Sequence, residues 1–356
     1  MRHAMIMAGG SGTRLWPISR LAKPKQLLPL VAGKSLLEIA SERLSGVVPP
    51  ERRMICTGER FRTAIEEVIS SIEVLGEPCG RDTLNAVGLT ATVLALRDPE
   101  AVFAVLTADH VIKPHDAFAA AMEIGFQLVE ADPKRLVTFG ITPSYPATGY
   151  GYVGCGTPIP DIDGAFQASG FKEKPDEETA RSYLADGSYM WNSGMFVFSA
   201  QCVLDAIAEF HPEAHAGLKR IGEAWGTPQQ SEVLEAVYPT LPKTSVDYGL
   251  MEPTAAATHY EVCVVPMQVE WHDIGSWPSL AETIEEDADG NRVNGTAVLE
   301  DCRGVLAFSD NDSRIVTAIG CQDMIIVATD DAVLVCPSDR AEQVKAIAGK
   351  VPESHR

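Results

Sequence analysis

Through the first 141 residues, short apolar runs alternate with segments of helical periodicity. His3–Met7 reads as a buried strand that stops at Gly9 and Gly10. Residues 35–45 place apolar positions on one helical face, with Ser35 and Glu38 in capping-box register. Arg53–Thr57 and Ile72–Leu75 are predicted strands on either side of a helix over Phe61–Ile69. A third helix is expected over Thr83–Leu96 with Asp82 as its cap. Ala101–Thr107 is continuously apolar, the pattern of a strand buried on both faces. Helix Ala117–Glu130 and strand Arg135–Ile141 follow. This alternation predicts an α/β fold: a Rossmann-like mixed, mostly parallel sheet with helices on both faces.

After Ile141 proline and glycine become frequent, from Pro143 to Pro160. Strand-like pieces fall at 150–153, 166–173 and 195–198, and helical pieces at 177–184, 202–210 and 232–237. They read as a substrate-binding extension of the first sheet. From Asp289 the turn signals Asp289-Gly290-Asn291 and Asn294-Gly295-Thr296 introduce short β-rich runs, including 324–329 and 332–336 with Asp330-Asp331 between them. A closing helix is expected over 340–347. The predicted organisation is residues 1–288 as one large domain and 289–356 as a small β-rich domain with a terminal helix.

Composition narrows the classes. The formal net charge of −20 disfavours nucleic-acid binding. No window has the apolar length of a membrane span, and the first apolar run is too short for a secretory signal. A cytoplasmic protein without membrane partners is therefore expected. The eight cysteines form no Cys-x-x-Cys pair, so buried free thiols are expected in place of zinc ligands or disulfides.

Against this acidic background, residues 1–37 contain no Asp or Glu but hold Arg2, Arg14, Arg20, Lys23, Lys25 and Lys34. The basic segment follows Gly9, Gly10 and Gly12, where a strand should turn. Glycines there let backbone N–H groups approach one phosphate. Two familiar loops fail. A P-loop ending at Gly33-Lys34-Ser35 would need glycine where Leu28 stands, and a dinucleotide fingerprint would need one where Leu15 stands. The pattern points to a polyphosphate cradle of another kind.

Carboxylates supply the complementary chemistry. Asp109 follows the buried strand 101–107, at the end where open α/β sheets bind ligands. It suits Mg²⁺, which takes few protein carboxylates plus phosphate oxygens, and taken alone it also reads as a loop aspartate capping the next segment. Trp271-His272-Asp273 offers a second carboxylate; His272 reads better as a hydrogen-bonded structural histidine than as a metal ligand. Glu173-Lys174, Asn192-Ser193-Gly194 and Asp247–Glu252 carry groups that bond sugar hydroxyls or a phosphate, and each also reads as a solvated cluster or turn.

Taken in order, Gly9-Gly10-Ser11-Gly12-Thr13-Arg14-Leu15, Pro24-Lys25-Gln26, Leu106–His110, Thr148–Tyr152, Glu173-Lys174-Pro175, Trp191–Phe196, Asp247–Glu252 and Trp271–Trp277 resemble the sugar-phosphate nucleotidyltransferases. Within them they resemble the bacterial mannose-1-phosphate guanylyltransferases, over roughly residues 3–280. One run departs: a usual Arg-Asn-Thr-Ala-Pro-Ala-like stretch near the base site is here Gly80-Arg81-Asp82-Thr83-Leu84-Asn85-Ala86.

The resemblance implies transfer of GMP from GTP to mannose 1-phosphate, with Mg²⁺ as cofactor. It implies nucleotide binding by Gly9, Gly10, Ser11, Gly12, Thr13, Arg14, Glu77, Arg81 and Asp109, and metal binding by Asp109 and Asp273. Catalytic roles fall to Arg14, Lys25 and Lys174, and sugar binding to Gly151, Glu173, Lys174, Asn192 and Asp247. It further implies the monofunctional form without an isomerase domain, a C-terminal segment like a left-handed β-helix, and a homodimer. Alternatives are a nucleotidyltransferase with another base or sugar, or a non-catalytic nucleotide-sugar sensor.

Overall fold

A computed structural model of the protein describes residues 1–10, 12–311 and 313–356; the predicted phosphate contact Ser11 lies outside the described residues. The chain divides into two compact units, neither continuous in sequence. One comprises Met1–Gly9, Ala40–Thr107 and Ile112–Glu270, the other Gly10–Ile39, Ala108–Val111 and Trp271–Arg356. The sequence division at 288/289 follows chain order, whereas these units do not.

In chain order the strands begin with β1 (Arg2–Met7), β2 (Arg53–Gly58), β3 (Glu73–Glu77), β4 (Val102–Thr107), β5 (His110–Lys113) and β6 (Arg135–Ile141). They continue with β7 (Tyr152–Pro158), β8 (Phe166–Lys172), β9 (Tyr189–Ser199), β10 (Glu261–Met267) and β11 (Glu270–Asp273). Among the described residues, the first unit is built on a nine-stranded sheet ordered β3-β2-β1-β4-β9-β6-β10-β8-β7. β8 and β9 run against the other strands. The sheet is thus mixed but mostly parallel in direction, and the strands after residue 141 join it as expected.

Strand alternation sends neighbouring side chains to opposite faces. Phe103, Val105, Phe196 and Phe198 share a core with Val87 and Leu94 of helix Asp82–Arg97 and with Val203 and Ile207 of helix Ala200–Phe210. On the other face, Gly125 of helix His115–Ala131 sits so close to the sheet that a Cβ there would lie 2.7 Å from the Phe139 ring and 3.2 Å from Val197. Helices therefore cover both faces.

Several boundaries differ from expectation for local reasons. Asp82 is not an N-cap: it is the first helical residue, has φ +65°, and accepts from the adjacent Thr83 N–H at 2.9 Å. Helix Pro212–Ala224 and strands β5, β10 and β11 fall in segments for which the apolar pattern predicts no element. The predicted closing helix begins as a 3-10 turn over Ser338–Gln343 before Val344–Ala348 turns α-helical.

The second unit contains β12 (Arg292–Asn294), β13 (Thr296–Glu300), β14 (Leu306–Ser309), β15 (Ile315–Ile319), β16 (Met324–Ala328) and β17 (Val333–Pro337). β12, β14 and β16 stack in parallel, with Arg292 beside Leu306 and Leu306 beside Ile325. β13 and β15 make a second parallel pair. Successive coils thus feed two stacked sheets, the arrangement of a β-helix. β17 closes the first stack in antiparallel fashion.

The glycine-loop segment and this C-terminal coil share one core. Leu15, Trp16, Leu28 and Leu30 pack with Ile274, Trp277, Phe308, Val327 and Val344. The buried Trp277 indole donates to the Trp16 carbonyl at 3.0 Å. Among the described residues no helix is long and apolar enough to cross a membrane. No disulfide joins any of the eight cysteines, of which Cys56, Cys202, Cys263 and Cys302 are buried.

Candidate active site

β1 and β4 are parallel neighbours that end in register, Met7 beside Thr107. The chain leaves β1 into the glycines and leaves β4 into Ala108-Asp109, so the turn and the carboxylate emerge from one end of the sheet. Gly10 has φ +99° and Gly12 φ +63°. Gly12 is doubly constrained, because a Cβ there would lie 2.7 Å from Lys25 Cβ and Cγ. Gly12→Ala therefore combines left-handed backbone strain of about 1–2 kcal/mol with displacement of Lys25. The expected result is a measurable fall in thermal midpoint together with a loss of turnover, read by calorimetry and pyrophosphate release.

Thr13–Leu15 forms a 3-10 turn after Gly12. Arg14 extends from it, and its Nη1 donates to both carboxylate oxygens of Glu342 at 3.1 Å. Glu342 had no sequence signal as a site residue, being 328 positions away.

Lys25 opens a second 3-10 turn, and its side chain is 9% exposed. Its ammonium donates to Asp109 Oδ2 at 2.7 Å and to the Ile274 carbonyl at 2.8 Å. Burial works to raise the Asp109 carboxyl, but the Lys25 charge beside it prevails and holds it below the usual carboxylate range. The Ile274 N–H donates to the Asp109 carbonyl at 2.9 Å. That bond fastens the 271–275 segment to Asp109 and brings Asp273 alongside. Asp109, His110 and Asp273 each present a ligand atom within 4.8 Å of the others.

The histidines and tryptophans here divide by role. His272 Nδ1 lies 3.1 Å from Glu282 Oε2, the structural bond expected of it. Trp277 is core. Trp271 instead donates its indole N–H to His110 Nδ1 at 3.2 Å, with the rings edge to face at 5.2 Å.

In the first unit the predicted sugar-side residues converge. A Cβ on Gly151 would lie 2.5 Å from Glu173 Oε2, so glycine is what lets the carboxylate close on the backbone. The Asn192 N–H donates to the Gly151 carbonyl at 2.8 Å. Glu173 is buried, its N–H donates to Glu252 Oε1 at 2.8 Å, and Lys174 Nζ lies 2.9 Å from its Oε1. Asn192 Nδ2 donates to Asp247 Oδ1 at 2.8 Å, while Asn192 Oδ1 accepts from Thr138 Oγ1 at 2.7 Å. Tyr145 and Tyr150 meet the adjacent Trp191 edge-on, at 4.9 and 5.3 Å. Thr138 went unrecognised as a site residue because its partner Asn192 lies on a distant strand, whereas Glu252 belongs to the 247–252 run that already offered its carboxylates.

Asp247 heads a π-helical turn, Asp247–Met251. Burial first, and then the Glu173 charge, push its carboxyl up to about 7. A carboxyl raised on folding contributes stability that is full below its unfolded pKa and is lost as pH rises through the folded one. This contribution therefore declines between about pH 4 and 7. Asp247→Asn removes the buried charge. The variant should melt roughly 2 °C or more above the wild type at pH 8, with the difference shrinking toward pH 5, as thermal unfolding across that range will show.

The base-side predictions occupy the same unit. Glu77 is buried and accepts from the Tyr238 hydroxyl at 2.5 Å; burial raises its carboxyl. Its carboxylate is thus already engaged. The Arg81 Nε donor, just before helix Asp82–Arg97, is buried without a hydrogen-bond partner among the described residues.

Two family models match the chain: nucleotidyl transferase over residues 3–290, and the MannoseP isomerase/GMP-like beta-helix domain over 295–351. A mannose-1-phosphate guanylyltransferase of Escherichia coli is 37% identical over 359 residues, covering 99% of this chain and 74% of that protein. The xanthan biosynthesis protein XanB of Xanthomonas campestris pv. campestris (strain B100) is 36% identical over 359 residues, covering 99% of this chain and 73% of that protein. A crystal structure from Thermus thermophilus, described as a mannose-1-phosphate geranyltransferase, superposes with a TM-score of 0.87 at 34% identity, covering 98% of each chain.

Proposed function

The chain belongs to the nucleotidyl transferase family, and on that premise we propose that it transfers GMP from GTP to mannose 1-phosphate, giving GDP-mannose and pyrophosphate. The observation that carries this reading is the buried Lys25 ammonium held on Asp109, with Asp273 alongside and the positive-φ glycines in the same unit. A cation, two carboxylates and backbone donors are the groups with which a polyphosphate is held, and their grouping in one unit supports this reading.

In the reaction a phosphate oxygen of the sugar phosphate bonds to the α-phosphorus, and the bond to the bridging oxygen of pyrophosphate breaks. The nucleophile is already anionic near neutral pH, so the chain need supply no general base. The Gly9–Gly12 backbone, Thr13 and Arg14 hold the triphosphate and the departing pyrophosphate. Arg14 exchanges its Glu342 partner for phosphate. Lys25 neutralises charge at the reacting phosphates. The paired oxygens of Asp109 and Asp273 suit a small divalent cation, and Mg²⁺ held there would offset the charge that develops on the phosphate oxygens.

In the sheet unit, Glu173, Asn192, Asp247 and the Gly151 backbone accept and donate to mannose hydroxyls, and Lys174 meets the sugar phosphate. Arg81, with its unpartnered donor, and Glu77 serve the guanosine side. The partners are GTP and mannose 1-phosphate, and the assembly is a homodimer in the cytoplasm. Pyrophosphate release with GTP, mannose 1-phosphate and Mg²⁺ tests the reading. Turnover that stops when EDTA removes the metal supports it. Tight binding of nucleotide sugar without turnover would make the chain a sensor instead.

A further inference from the structure

Asp109, His110 and Asp273 together offer two carboxylates and one imidazole. Taken as a donor set, this is not selective for Mg²⁺. An imidazole nitrogen draws Zn²⁺ and Co²⁺, which bind nitrogen-containing sites more tightly, whereas carboxylate, phosphate and water oxygens suit Mg²⁺. Whether the histidine can act as a ligand depends on which ring nitrogen has an available lone pair.

The indole N–H of Trp271 is a donor only. It points at His110 Nδ1 from 3.2 Å, so Nδ1 is the acceptor and bears no proton. A neutral imidazole has one protonated nitrogen, which must then be Nε2. Nε2 is the nitrogen that faces the carboxylates, at 4.0 Å from Asp109 Oδ1. His110 thus turns an N–H toward the cluster where ligation would need a lone pair. Its side chain is 5% exposed and stacked edge to face against Trp271. To ligate through Nε2 it would have to move the proton to Nδ1, against the indole N–H.

We propose that Trp271 is a metal-specificity residue: its indole N–H fixes His110 as the Nε2–H tautomer and keeps the imidazole out of the cation's shell, leaving the carboxylate oxygens of Asp109 and Asp273. The inference rests on the metal-site reading above and adds a reason why nitrogen-seeking metals gain no advantage there. Trp271 acts through His110, so it is a positioning residue. Groups that hydrogen-bond the outer nitrogen of a metal-binding histidine commonly fix the tautomer that ligates; here the partner fixes the one that does not.

The test uses the full chain with Mn²⁺ and Co²⁺ as probes, with and without GTP, in wild type, Trp271→Phe and Trp271→Phe/His110→Ala. Phenylalanine keeps an aromatic ring but removes the donor. Pulsed EPR of the Mn²⁺ complex should show no imidazole nitrogen coupling in wild type and clear coupling in Trp271→Phe. Co²⁺ affinity should rise at least about tenfold in the single variant and return to the wild-type value in the double variant. Nitrogen coupling in wild type would overturn the proposal, and that measurement needs no variant to fold. So would a folded Trp271→Phe that gains neither coupling nor Co²⁺ affinity. Wild-type protein that binds no divalent probe would contradict the metal site itself, a failure distinct from either of these.

Discussion

Lys25→Ala is expected to lower kcat about 10²–10³-fold, the usual consequence of removing a preorganised charge from a site where negative charge develops. The side chain is buried along Gly12, and its ammonium is shared by Asp109 and the Ile274 carbonyl, so it is already fixed before substrate arrives. That fixed placement is why truncation should act mainly on kcat. The fold should survive, because Asp109 retains access to water with its side chain 25% exposed. Circular dichroism and a thermal scan check the fold, and single-turnover kinetics check the rate. Turnover at the wild-type level would remove Lys25 from the chemistry.

Asp109→Asn is expected to cost a comparable factor of about 10²–10³ by a different route. Asparagine keeps the shape and can still accept from Lys25, but it removes one negative charge of the Asp109/Asp273 pair. The variant should need more Mg²⁺ for half-maximal rate, and raising Mg²⁺ should recover part of its activity. Lys25→Ala should show no such recovery. A Mg²⁺ titration on both variants separates the two roles. Identical Mg²⁺ dependence in both would mean that Asp109 serves only as the partner of Lys25.

The contrast between these two residues and Trp271 shows what a one-dimensional reading can reach. Gly12, Lys25, Asp109 and Asp273 stood out as candidates because their chemistry is local: glycine at a turn, a basic run, a carboxylate after a strand. Eight of the nine sheet strands followed for the same reason, as short apolar runs, whereas β10 did not. The supporting contacts were not local. Arg14 meets Glu342 across 328 positions, Trp271 meets His110 across 161, and Thr138 meets Asn192 across 54. No periodicity encodes such pairs; they exist only after the strands have taken their order. The core that residues 15–30 share with the C-terminal coil is non-local in the same way. Leu15, Trp16, Leu28 and Leu30 carry no mark saying that their core partners are Phe308 and Val327. The Asp82 cap went astray because residue type was right and backbone was not: aspartate favours an N-cap, but at φ +65° the side chain bonds the next N–H instead.

Guanylyl transfer to mannose 1-phosphate is measured by pyrophosphate release over a full substrate matrix. The matrix crosses GTP, ATP, UTP and dTTP with the 1-phosphates of mannose, glucose and N-acetylglucosamine, all with Mg²⁺. GTP with mannose 1-phosphate should give the highest kcat/KM by at least about tenfold, a margin worth roughly 1.4 kcal/mol of transition-state binding. A different pair at the top of the matrix, or no turnover in any well, would contradict it.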